Sequence, residues 1–119
     1  MEQEPAAGQA EVAPPAYTVV WHAAVRGDLA KIPRSTVESL AKAVNYRLSQ
    51  APHVIGTPLR GTTNLLWRLR FGSYRVVYTV NVRSKEVWVL TVQRRDIVYR
   101  DPHLSSLLKL AVVLQQTKR

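Results

Sequence analysis

The spacing of apolar residues changes twice along the chain, and each change marks a different kind of element. Tyr17 to His22 reads Tyr-Thr-Val-Val-Trp-His, a short β-branched and aromatic run that predicts a strand, and Ala23 to Lys31 predicts a helix that stops before Pro33. Ser35-Thr-Val-Glu38 matches a capping box, in which the Ser hydroxyl and the Glu carboxylate satisfy free amide hydrogens, so a second helix is expected to begin there. Val37, Leu40, Ala41, Val44 and Leu48 place one apolar stripe on that helix, and Ala51-Pro52 ends it. After a loop with His53, Gly56 and Pro58 the period falls to two. Leu66 to Phe71, Tyr74 to Val82 and Glu86 to Arg94 are β-rich runs separated by Gly72-Ser73 and by Arg83-Ser84-Lys85, which predicts a three-stranded antiparallel meander. Beyond Asp101-Pro102, Leu104 to Gln116 returns to helical spacing, with apolar residues at 104, 107, 108, 111 and 114.

The expected fold is α+β: an N-terminal strand and two helices, then the meander, then a C-terminal helix, with the helices covering one face of the sheet. The pattern leaves open whether the first strand joins the meander at an edge or in the centre. At 119 residues the chain has the length of one domain. Residues 1–16 differ in kind: Glu2, Glu4, Glu11, Pro5, Pro14 and Pro15 occur there with much alanine and no basic residue, so they read as a flexible leader before a domain at 17–119.

Charge narrows the function. The chain has 17 Lys and Arg against 8 Asp and Glu, a formal net charge of +9, and every basic residue lies after the leader. Nucleic acid, an anionic surface or an acidic protein are the partner classes this favours. The chain has no cysteine, so disulfides, thiol catalysis and Cys-based zinc sites are excluded. No apolar run is long enough to span a bilayer and the start does not resemble a secretory signal, so a cytoplasmic protein without membrane contact is expected. His22, His53 and His103 form no metal-ligand spacing and no catalytic triad, and are expected to be structural.

The meander holds the most specific signal. In Leu66-Trp-Arg-Leu-Arg-Phe71 the side chains of Trp67, Leu69 and Phe71 alternate with Arg68 and Arg70, so both guanidinium groups face away from the apolar side. If Gly72-Ser73 is a two-residue turn, Phe71 pairs with Tyr74, Arg70 lies opposite Arg75, and Arg68 lies opposite Val77. Like charges directly across a sheet are destabilising, and folding alone gives no reason to keep them. A phosphate between them turns the repulsion into charge-assisted, bidentate hydrogen bonding. From Val54 to Arg100 nine basic residues face only Glu86 and Asp96, so the sheet is expected to bind an anion. Trp67, Trp88, Tyr74 and Tyr78 read as packing residues, whereas Tyr99, beyond Arg95 and next to Arg100, reads as a site residue.

These residues carry a resemblance. Leu59-Arg60-Gly61, Trp67-Arg-Leu-Arg70, Gly72-Ser-Tyr-Arg-Val-Val-Tyr78 and Val89-Leu-Thr-Val92, followed by Arg94-Arg95 and Val98-Tyr99, resemble the RelE/ParE toxin superfamily, and within it the RelE-like mRNA interferases of type II toxin–antitoxin systems. The resemblance spans about Tyr17 to Arg100 and implies a compact microbial-ribonuclease-like α+β fold. It also implies metal-independent, cofactor-free cleavage of mRNA in the ribosomal A site by attack of a 2′-OH on the adjacent phosphate, and neutralisation by a cognate antitoxin. Carried over by position, Arg75, Arg95 and Tyr99 are the implied catalytic residues, with Arg60, Arg68, Arg70 and Arg94 as RNA-phosphate contacts. The best-known members have lysines where this chain has Arg68 and Arg70. An arginine stays protonated and is a poor base, so proton transfer falls to Tyr99 or to the ribosome. The alternatives are a ParE-like gyrase inhibitor that cleaves nothing, or a relative that only binds RNA or its antitoxin. Leu104 to Arg119 extends past the resemblance, either as a helix completing the core or as part of an antitoxin groove.

Overall fold

β-branched residues dominate the first strand, β1 (Thr18–Trp21), and it runs parallel to the strand furthest from it in sequence, β5 (Glu86–Arg94), with Thr18 opposite Glu86 and Trp21 opposite Val89. The computed structural model describes residues 16–95 and 103–116. Between these two strands come α1 (Val25–Leu29), α2 (Arg34–Gln50), a single-turn α3 (Pro52–Ile55), β2 (Thr57–Pro58), β3 (Trp67–Phe71) and β4 (Tyr74–Asn81). The sheet order is β1-β5-β4-β3-β2, so the meander forms as expected and the first strand takes the edge beside β5. A parallel partner needs a long crossover, and the intervening helices provide it.

Three expectations about single elements are corrected, and a fourth about the layers follows. The capping box at Ser35 and Glu38 does not form, because α2 starts at Arg34 with Pro33 at its N-cap and no side-chain cap bond. Pro33, at ψ 141°, turns the chain into the helix one step early, and its carbonyl accepts the Val37 N–H at 3.0 Å. The first helix is also shorter than Ala23 to Lys31, at five residues. The supposed loop after Pro52 contains α3 and β2, and β2 pairs antiparallel with β3 through Thr57–Arg68 and Pro58–Trp67. A two-residue strand shows no periodicity, and Pro58, lacking an N–H, fits only at such an edge.

The helices cover both faces rather than one. On the first face Leu40, Val44 and Leu48 of α2 pack on Leu69, Val76, Tyr78, Val80, Val87, Val89 and Val92, all buried, with Val25 of α1 and Ile32 beside them. On the second face α4 (His103–Gln115) lays Leu107, Ala111 and Leu114 on Leu66, Val77 and Leu90. The C-terminal segment therefore completes a core. Side-chain bonds lock it down: Asn81 Nδ2 donates to the Leu114 carbonyl at 3.1 Å, and Gln115 Nε2 donates to Thr79 Oγ1 at 3.0 Å and to the Val80 carbonyl at 2.6 Å.

Tyr78 and Gly56 fit together closely. The Tyr78 ring is fully buried, its hydroxyl donates to the Pro52 carbonyl at 2.6 Å, and a methyl on Gly56 would collide with that hydroxyl. Burial raises the phenol's pKa above its ordinary value, so Tyr78 stays neutral and acts as a packing residue. Trp67 and Trp88 also pack as expected, the first against the α2 core and the second against the α4 core.

Candidate nucleic-acid interface

The Gly72-Ser73 turn fixes the geometry of the site. Gly72 has φ of 60°, a left-handed conformation natural to glycine, while Ser73 is not among the positive-φ residues, the pattern of a type II′ hairpin turn. The resulting register pairs Phe71 with Tyr74, Arg70 with Arg75 and Arg68 with Val77, as the sequence predicts. Arg70 and Arg75 form the first pair beyond the closing pair of the turn, where no backbone bonds intervene and side chains approach most closely.

The two arginines differ in setting. Arg70 is exposed and Arg68 half-buried, whereas Arg75 retains only 7 % exposure. Arg75 Nη1 donates to the carbonyls of Gly72 at 2.9 Å and Tyr74 at 3.0 Å. The turn's own carbonyl dipoles thus hold the guanidinium in place and offset part of the repulsion from Arg70. A cation fixed in this way needs no reorganisation when an anion arrives.

An irregularity in β5 brings further groups to the same place. Val77 pairs with Thr91 but Tyr78 pairs with Val89, so Leu90 is an extra residue, a β-bulge. Without it Thr91 and Gln93 would point into the α2 core. With it Val92 enters that core and Gln93 lies opposite Arg75. The Arg95 N–H donates to the Ser73 carbonyl at 3.1 Å, tying the exposed Arg95 to the turn, and alternation returns it to the face of Gln93 and Arg75. Arg94 pairs with Tyr74 on the other face.

Arg60 is not brought to this cluster. It lies in the loop that follows the Leu59–Leu66 backbone bond, at the opposite end of β3 from Arg70, a separation of at least about 13 Å at roughly 3.3 Å per residue. It belongs to that loop and not to a strand, so the register that pairs Arg70 with Arg75 does not place it. Tyr99 and Arg100 lie outside the described residues, as do residues 1–15 of the leader. Ala16 is already tied to the domain, its N–H donating to the Ser49 carbonyl at 2.9 Å.

Sequence reasoning missed Asp28. Beyond Trp21 the chain leaves the sheet for α1, which exposes the outer edge of β5, and Asp28 fills that edge. Its Oδ2 accepts from the Val92 N–H at 3.0 Å and from Thr91 Oγ1 at 2.7 Å, and its Oδ1 accepts from Gln93 Nε2 at 2.8 Å. The partners are more than sixty positions away, and nothing local in Val25-Arg-Gly-Asp-Leu29 signals them. Two of the histidines have structural surroundings, His22 Nδ1 accepting the Ala24 N–H at 3.1 Å and His53 lying edge-on to Trp67 at 5.0 Å, whereas the Nε2 of His103 is buried without a hydrogen-bond partner among the described residues. No helix among the described residues is long and apolar enough to cross a membrane.

Comparison with known proteins agrees with this architecture. Residues 19–99 match the family model described as the ParE toxin of the type II toxin–antitoxin system parDE. Toxin RelE of Mycobacterium tuberculosis is 32% identical over 84 residues, covering 71% of this chain and 87% of that protein. Toxin RelG of the same organism is 31% identical over 84 residues, covering 71% of this chain and 97% of that protein. Among solved structures, a chain of the toxin–antitoxin complex RelBE2 from Mycobacterium tuberculosis aligns with a TM-score of 0.62 and 30% identity, over 69% of this chain and all of that one. A match over most of the domain, two relatives above 30% identity and a shared fold place this chain in the RelE/ParE superfamily of type II toxin–antitoxin toxins.

Proposed function

We propose that this toxin cleaves mRNA on the ribosome, with the scissile phosphate seated between Arg70 and Arg75. The observation that carries the reading is the Arg70–Arg75 pair itself, held across β3 and β4 by the register and by the turn carbonyls that fix Arg75. A ribose 2′-oxygen attacks the adjacent phosphorus, the bond from phosphorus to the 5′-oxygen breaks, and the products are a 2′,3′-cyclic phosphate and a 5′-hydroxyl. The proton lost by the 2′-OH and the proton gained by the leaving 5′-oxygen balance. Arg75 and Arg95 stabilise the negative charge that builds on the pentacovalent phosphorus. Arg68 and Arg70 orient the phosphodiester, while Arg94, on the other face of the sheet, and Arg60, in the loop before β3, meet the RNA backbone away from the scissile phosphate. Tyr99 or a ribosomal group moves the protons. A cognate antitoxin, with a segment that covers the basic sheet, keeps the toxin silent until it is removed.

Primer extension on ribosome-bound mRNA tests this directly. New 5′ ends within the codon at the A site, lost with Arg75→Ala and with Arg95→Ala, are expected. The family model's ParE description favours one rival, inhibition of gyrase without RNA cleavage. Intact mRNA, with loss of DNA supercoiling in a gyrase assay containing the purified toxin, would decide for that rival.

A further inference from the structure

A second feature lies around the edge of β5 from the arginine pair. Asp28, Lys31, Ile32, Tyr74, Val92 and Gln93 line a cavity of about 140 Å³, with Arg94 at its rim. Ile32 and Val92 are buried and give it an apolar floor, and the half-buried Tyr74 gives an aromatic wall. That volume takes one planar ring system and not a whole nucleotide. Of the charged and polar lining groups, the Asp28 carboxylate already accepts from Thr91, Val92 and Gln93, and Arg94 is exposed; the base-reading groups beside them are Lys31 and Gln93. Lys31, exposed at the end of the α1 turn, is a donor only. Gln93 donates its amide hydrogens to Asp28 Oδ1 at 2.8 Å and to Thr91 Oγ1 at 3.4 Å, so the atom it offers a ligand is the carbonyl oxygen.

We propose that this cavity binds a nucleobase of the RNA, and that it favours keto bases, uracil and guanine, over cytosine and adenine. The inference rests on the reading of the arginine pair as a phosphate seat and adds a base-selecting pocket to it. The two sites meet at Gln93, which pairs with Arg75 across the sheet and also lines the cavity. A strand of RNA whose phosphate lies on the Arg70–Arg75 row can therefore turn a neighbouring base around the β5 edge onto Tyr74. Single-stranded RNA is recognised in this manner, by stacking on aromatic side chains and by hydrogen bonds to base edges. Uracil and guanine both place a ring carbonyl beside a ring N–H. The carbonyl suits the Lys31 ammonium, and the N–H suits the Gln93 oxygen. Cytosine and adenine place an amino donor where the keto bases place that carbonyl, and so face Lys31 with a donor.

Amide-resolved NMR titration of the full chain separates the two readings. The ligands are the 5′-monophosphates of uridine, guanosine, cytidine and adenosine, the nucleosides uridine and guanosine, and inorganic phosphate. The expected result is that uridine and guanosine compounds, with or without their phosphate, shift the amides of Ile32, Tyr74 and Val92, while cytidine and adenosine monophosphates shift them at least tenfold more weakly at equal concentration. Lys31→Met, which changes an exposed side chain, should weaken uridine binding about tenfold and leave the phosphate shifts at Arg70 and Arg75 unchanged. Equal shifts from all four bases, or shifts confined to the β3–β4 turn, would overturn the pocket. Failure of inorganic phosphate to shift Arg70 and Arg75, with the nucleosides still binding, would instead remove the phosphate seat.

Discussion

The second face of the sheet has two halves that obey different rules. Under α4, Val77 and Leu90 are closed over by Leu107, Ala111 and Leu114, and the buried polar groups Thr79 and Asn81 are hydrogen-bonded to the helix. A few residues along the same strands, Arg70 and Arg75 stand opposite each other with Gln93 alongside. The covered half is built as burial dictates, with apolar area removed from water and polar groups paired. The arginine half sets like charges together, which no folding argument requires. On the proposed reading, the contrast marks where burial stops dictating the residues and anion binding takes over, on one continuous set of strands.

The largest expected effect lies in the covered half. Leu107→Ala removes a side chain that is 5 % exposed and should cost about 2–5 kcal/mol of unfolding free energy. Urea denaturation checks it, and the purified variant under folding conditions should still cleave. In the arginine half, Arg75→Ala should lower the cleavage rate by about 10²–10³, as loss of one fixed transition-state donor does. Its melting transition should stay cooperative. A variant that lost the fold instead would make Arg75 a structural residue and weaken the contrast.

Gly56→Ala is a packing change on the opposite face. The added methyl meets the Tyr78 hydroxyl, which is held on the Pro52 carbonyl, so the expected cost is about 1–3 kcal/mol, read as a lower denaturation midpoint. The smallest effect is the most diagnostic in sign. Arg70→Met removes one of two opposed charges, so it should stabilise the free protein by about 0.2–1 kcal/mol while weakening RNA binding. Thermal melting at low salt reads the gain, which should shrink as salt screens the pair. A destabilised variant would mean that Arg70 serves the fold.

The arginine pair was legible in the sequence because a two-residue turn with glycine fixes its own register, and alternation then assigns each side chain to a face. The stripe of α2 was legible for a similar local reason. The capping box misled because Ser35 and Glu38 carry the motif, but Pro33 just before them already turns the chain into the helix. What the sequence hid is long-range. The parallel pairing of β1 with β5 depends on a crossover of most of the chain, the two-residue β2 is too short to show a period, and the bulge at Leu90 appears only when β4 and β5 are paired. The bulge matters most for the site, since it reverses the faces of Thr91 to Arg95. Asp28 was hidden for the same reason, because all three of its donors belong to that reversed stretch.

A double-mutant cycle on cleavage of ribosome-bound mRNA, with Arg70→Ala, Arg75→Ala and both together, tests the shared phosphate most directly. Two groups that hold one phosphate should be coupled by about 0.5–3 kcal/mol, so the double variant should lose less than the two single losses combined. Losses that add to within about 0.3–0.5 kcal/mol would contradict a common phosphate and separate the roles of the two arginines.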